Sequence, residues 1–134
     1  MVAFMSRKAL AFLDLAATDL AHAKANLRTF PRHAAFTLQQ ASEKIIKAIL
    51  GADGIAFPGT SHQLDDLVSR IPGGNPFRAD LLALSHLTSA ATRYRYPTPH
   101  GDVPQDPPST EMVEDLETLQ LLLPEVRAWL RERK

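Results

Sequence analysis

Three long stretches of this chain repeat apolar residues at intervals of three and four, and no stretch alternates with a period of two for long enough to build a sheet. From Ser6 to Arg28 helix breakers are nearly absent, and Phe12, Leu13, Ala16, Leu20, Ala23 and Leu27 mark one face. Pro31 interrupts this pattern. A second run, from about Arg32 to Leu50, carries Leu38, Ala41, Ile45 and Ile49 on one stripe, with Gln40, Glu43, Lys44 and Lys47 largely off it and Gly51 as the expected stop. Near the C-terminus Met112, Leu116, Leu119, Leu123, Val126 and Leu130 form a heptad-like seam suited to antiparallel packing, in a helix that Pro124 is expected to bend.

Between these runs the signals are shorter. GADGIAFPGTSH reads as a loop, after which Thr60 or Ser61 can cap a short helix carrying Leu64, Leu67 and Val68 that ends before Pro72-Gly73-Gly74. Asn75-Pro76 is a helix opening, and Leu81, Leu84, Leu87, Thr88 and Ala91 continue as a fourth long stripe. Five prolines between Pro97 and Pro108 then exclude regular structure until Ser109 or Thr110 caps the last helix, with Glu111 in its first turn. The expected fold is all-α: one domain over residues 1–134, an up-and-down bundle of four long helices and one short one.

Composition narrows the function classes. The chain has 45% hydrophobic and 22% charged residues but no apolar run near the ~20 residues a membrane helix needs. Its start, MVAFMSRKAL, does not read as a secretory signal, and the absence of cysteine removes disulfides and thiolate chemistry, so a cytoplasmic protein is expected. A net charge of zero argues against coating nucleic acid through an overall field and leaves a local patch as the means of contact. The five histidines, at 22, 33, 62, 86 and 100, show no HxxxH or HExxH spacing, so neither a metal site nor a cofactor is expected.

The densest polar and aromatic chemistry is RYRYPTPH, Arg93 to His100, where a helix must stop. Four residues separate Arg95 from His100. Imidazole can move a proton while guanidinium steadies an anionic phosphate, Arg93 can add a second guanidinium, and Tyr94 or Tyr96 can stack a base. The same residues can equally cap helix carbonyls and cover the end of a bundle, and the spacing alone does not decide. Lys47 and Glu43 fit a charged groove beside such a site, or an i,i+4 pair on an exposed face. His62 suits either a helix cap or the site, His22, His33 and His86 read as ordinary surface or partly buried residues, and the basic RAWLRERK complements a helix C-terminus.

Three blocks in this order, AAFTLQQASEKIIKAIL, TSHQLDDLV and RYRYPTPHGD, resemble the HEPN domains of bacteria and archaea over Ala34 to Asp102. The resemblance implies a homodimeric helical bundle, often paired with a minimal nucleotidyltransferase antitoxin. In the toxin-type endoribonucleases of that family an Arg-x4-6-His motif from each protomer meets across the dimer cleft and cuts RNA without metal. Here the motif falls on Arg95 and His100; Arg93 satisfies the longer spacing, but the Tyr-Pro register favours Arg95. Arg93, Tyr94, Tyr96, Lys47 and His62 are then the expected RNA- or nucleotide-binding residues. Members that keep Arg-Tyr-Pro without the histidine are non-catalytic nucleotide-binding modules or partners, which is the alternative. Asp102 stands where paired toxins often carry a tyrosine that the nucleotidyltransferase modifies.

Overall fold

The computed structural model describes residues 2–58 and 63–133, with side chains from residue 7 onward. Its elements are α1 (Val2–Asn26), α2 (Pro31–Ala52), α3 (Leu64–Ser69), α4 (Arg78–Ala83), a 3-10 helix (Ser85–Ala91) and α5 (Ser109–Glu132), and among the described residues there is no strand. No helix among them is long and apolar enough to cross a membrane. Thr60, Ser61 and His62 lie outside the described residues, so the expected local cap and the expected role of His62 do too.

Polar pairs give the directions of the long helices. Lys44 meets Asp19 at 2.6 Å and Thr37 meets His22 at 3.3 Å, so α1 and α2 run antiparallel across residues 27–30. Arg32 meets Asp106 at 3.0 Å and Arg133 pairs with Asp53, so α5 runs parallel to α2, and Arg127 ties it to Asp14 of α1 at 2.8 Å. Two parallel helices need a returning leg between them. Residues 53–108 supply it through α3, α4 and the 3-10 helix.

The apolar stripes meet inside. Leu13, Ala16, Leu20 and Ala23 of α1, Leu38, Ala41, Ile45 and Ile49 of α2, and Met112, Leu116, Leu119, Val126 and Leu130 of α5 are all buried. In α5 the buried residue of the fourth turn is Leu122, Leu123 being only half-buried, and the helix continues through Pro124. Helix α2 is the central element, contacted by α1, α3, the 3-10 helix and α5, so its burial extends well beyond the expected stripe. Glu43 and Lys47 are accordingly not on an exposed face. They are 5% and 6% exposed and paired at 3.2 Å, with the Lys47 ammonium 5.6 Å from the Phe57 ring centroid.

Local chemistry sets the ends. Pro31 opens α2 where its missing N–H costs nothing. The helix runs past Gly51 to Ala52; Gly54, at φ 68°, takes the left-handed position, with Ile55 N donating to Leu50 O at 2.9 Å and Gly54 N to Gly51 O at 3.2 Å. This Schellman closure satisfies carbonyls that would otherwise be orphaned. Ser109 and Thr110 are inside α5 rather than capping it: Pro108, which has no side-chain acceptor, precedes the helix, and its carbonyl receives Met112 N at 3.1 Å.

The expected fourth long helix is the main departure. Asn75 does open a turn, its Oδ1 accepting Phe77 N at 2.9 Å, but α-helix persists only to Ala83. There the His86 ring donates from Nδ1 to Ala83 O at 2.9 Å, the carbonyl that an α-helix would offer to Leu87 N. Leu87 N donates to Leu84 O instead, at 3.0 Å, and the chain tightens into 3-10 geometry. Thr88 Oγ1 meanwhile accepts Leu64 N at 3.0 Å, so the returning leg caps α3.

Candidate functional site

The 3-10 helix ends at Ala91 and leads directly into RYRYPTPH, which has no regular structure. The first half of this segment is anchored. Arg95 Nη1 donates to Ala91 O at 3.1 Å, and its guanidinium lies 4.2 Å from the ring centroid of Phe36 on α2 and 5.4 Å from that of Tyr96. A cation over an aromatic ring, with one of five donors bound to a carbonyl, is orientationally restricted while most of its donors remain.

A turn holds the second half. Gly101 N donates to Thr98 O at 2.8 Å, Thr98 N to Asp102 O at 2.8 Å, and Asp102 N to Thr98 Oγ1 at 3.1 Å. Pro99 thus occupies the second turn position, His100 the third, and Gly101 supplies the φ of 86° that an L side chain resists. His100 is therefore presented, exposed, at the tip of a turn. The rest of the proline-rich stretch is fixed to α2 by Arg32, which donates to Pro104 O at 3.2 Å and pairs with Asp106.

Two adjoining clefts, of about 650 and 330 Å³, run along this segment, and Arg93, Tyr94 and Pro108 line both. The Arg93 guanidinium is 5.4 Å from the Tyr94 ring centroid; Tyr94 is half-buried against the core, whereas Tyr96 is 55% exposed and lines the larger cleft. The structure therefore brings Arg93, Tyr94 and Tyr96 together. Arg95 and His100 belong to the same segment but do not line these clefts, and Lys47 is held by Glu43 inside the bundle.

The smaller cleft contains residues that the sequence pattern missed. His86 Nε2 lies 2.8 Å from Asp115 Oδ2 and 3.2 Å from Glu111 Oε1. Burial alone would depress the His86 pKa, but the Asp115 hydrogen bond and charge, the Ala83 carbonyl and the Glu111 charge outweigh it and raise it above the usual 6.5. Burial raises Asp115 above the ordinary carboxylate value despite the histidine, with Glu111 and Glu114 adding to the effect. His86 is thus exposed, within the expected surface or partly buried placement, but it carries two carboxylate partners that the sequence pattern did not assign to it. The available signal was the Glu111 and Asp115 pair, one helical turn apart, with Asp115 among the apolar positions of α5.

A family model for the HEPN domain matches residues 5–131. The chain belongs to the HEPN domain family. No curated protein and no solved structure matches it. In this HEPN domain the matched region takes in α2 entire, α1 but for its first turn, α5 but for its last residue, and the whole of residues 92–108, so the cleft segment is part of the domain rather than an appendage.

Proposed function

We propose that this HEPN protein is a metal-independent endoribonuclease of toxin type, acting as a homodimer through Arg95 and His100. HEPN domains act as ribonucleases or nucleotide-binding modules, and the observation that carries the first reading is the presentation of the Arg-x4-His pair: a guanidinium braced on Phe36 and an exposed imidazole at a turn tip. In the reaction, one His100 takes the proton of the RNA 2'-hydroxyl, whose oxygen attacks phosphorus. The bond to the 5'-oxygen breaks as that oxygen receives a proton from a protonated histidine, of the same or the second copy. Arg95 stabilises the extra charge on the phosphorane. The products carry a 2',3'-cyclic phosphate and a 5'-hydroxyl.

Two copies of Arg93 and Arg95 facing each other concentrate positive charge in one cleft, which reconciles RNA binding with zero net charge. A nucleotidyltransferase antitoxin is the partner this reading brings with it, although Asp102 removes the usual modifiable tyrosine. The test is cleavage of a mixed RNA pool in the presence of chelator by wild type, Arg95→Ala and His100→Ala. Cleavage by wild type alone, leaving cyclic-phosphate ends, supports the proposal; equal activity in all three rejects it.

One observation favours a second reading. The larger cleft is lined by Arg93, Tyr94 and Tyr96 and not by His100, as a non-catalytic nucleotide-binding module would require. In that case wild type cuts nothing, nucleotide binding survives His100→Ala, and Arg93→Ala abolishes it.

A further inference from the structure

We propose that His86, Glu111 and Asp115 form a binding site for one zinc ion, which ties the 3-10 helix to α5 at the two ends of the segment carrying Arg95 and His100. The proposal uses no part of the ribonuclease reading. A zinc here has a structural role and takes no part in proton transfer at His100.

The donor geometry is the first argument. Nε2 of His86, one oxygen of Glu111 and one of Asp115 all lie within 4.8 Å of one another, two of the separations being 2.8 and 3.2 Å. Zinc bonds of about 2.0–2.2 Å place tetrahedral donors about 3.3–3.6 Å apart.

The second argument is the histidine's orientation. Its Nδ1–H is committed to Ala83 O at 2.9 Å, which reserves Nε2 for the two carboxylates. A carbonyl fixing the distal nitrogen is the usual outer-shell support of a metal-binding imidazole. Without a cation a single Nε2 proton must serve two carboxylate oxygens. With a divalent cation, one neutral imidazole and two carboxylates balance the charge.

Burial adds a third. The Asp115 side chain is 9% exposed, on the inner face of α5 between buried Met112 and Leu119. A carboxylate held in such a place needs a cationic partner, and a metal supplies a stronger one than a half-exposed histidine. One nitrogen and two oxygens suit zinc, whereas magnesium prefers an all-oxygen, largely hydrated shell. The three residues also line the cleft that Arg93 enters, which gives an ion a path from solvent.

The experiment uses full-length protein freed of metal by chelator and desalting. It is titrated with zinc chloride and, separately, magnesium chloride, following heat of binding and the thermal midpoint, and cobalt(II) reports coordination through its visible d–d bands. Expected are one zinc per chain, a raised midpoint, no effect of magnesium at the same concentration, and at least tenfold weaker zinc binding in His86→Ala and Glu111→Gln. The Glu111 side chain is 49% exposed, so Glu111→Gln keeps the fold and carries the test, while circular dichroism checks His86→Ala, which also loses the bond to Ala83 O. No binding by wild type, or a smaller loss in both variants, overturns the site. Because RNA cleavage is assayed with chelator present, failure here and failure of the nuclease reading are separate results.

Discussion

Helix α2 and residues 92–108 hold two dense groups of polar side chains, and they hold them in opposite ways. On α2, Gln39, Ser42, Glu43 and Lys47 are buried within the bundle. On residues 92–108, Arg93, Arg95, Tyr96 and His100 are exposed, while their backbone is fixed by the turn at 98–102, by Arg32 and by the ring of Phe36. Polar groups of the first kind are occupied with partners inside the bundle; those of the second face solvent, where a ligand can meet them. Mutation should therefore separate stability from activity along this line.

The largest expected effect is on activity. His100→Ala should lower RNA cleavage by about 10²–10⁴-fold, the usual worth of a general acid or base, with an unchanged thermal midpoint. A midpoint that falls with the activity would break the comparison. Next, Lys47→Ala disrupts a buried ion pair and should cost about 3–5 kcal/mol, lowering the midpoint by about 10 °C or more. Thermal unfolding followed by circular dichroism measures this directly, and a loss below about 1 kcal/mol would place the pair effectively in solvent.

Gly101→Ala sharpens the contrast within the exposed segment. No atom lies within 4 Å of the added methyl, so its cost comes from the φ of 86° alone, about 1–2 kcal/mol. Because the strain sits beside His100, cleavage should fall more than stability does. The smallest effect belongs to Arg32→Ala: its pair with Asp106 is largely exposed and should contribute less than about 1 kcal/mol, readable in a denaturant titration. The same variant should speed proteolysis within residues 97–108, since the anchor of that stretch to α2 is gone.

The long helices and their inner faces were legible because burial on one side leaves a period in the sequence, as with Leu38, Ala41, Ile45 and Ile49. The same logic failed for Glu43 and Lys47, because a helix surrounded by four others has no outer face to which a charge must be assigned. The fourth helix failed for another reason. Its apolar spacing was sound, but spacing carries no record of a histidine ring taking a backbone carbonyl, and that bond sits where the chain passes into 3-10 geometry. At the site, the lack of regular structure from Pro97 to Pro108 and the turn under His100 followed from proline and glycine, whereas the stop at Ala91, ahead of Pro97, did not. The brace of Phe36 under Arg95 and the meeting of His86 with Asp115 did not, since contacts across tens of residues depend on the returning leg having the length it has.

The parallel alignment of α2 and α5 also orders events in time. Contacts between α1 and α2 close loops of 15 and 25 residues, whereas those that fasten α5 and the chain just ahead of it onto the α1–α2 hairpin span 72 to 113. Loop closure favours the shorter links, so the helical hairpin forms early and α5 docks late onto a ready apolar face. Kinetic φ-values should then be high in α1 and α2 and near zero in α5. Until that docking the face is open to the α5 of another chain, which makes helix-for-helix exchange between nascent copies the characteristic error of this topology.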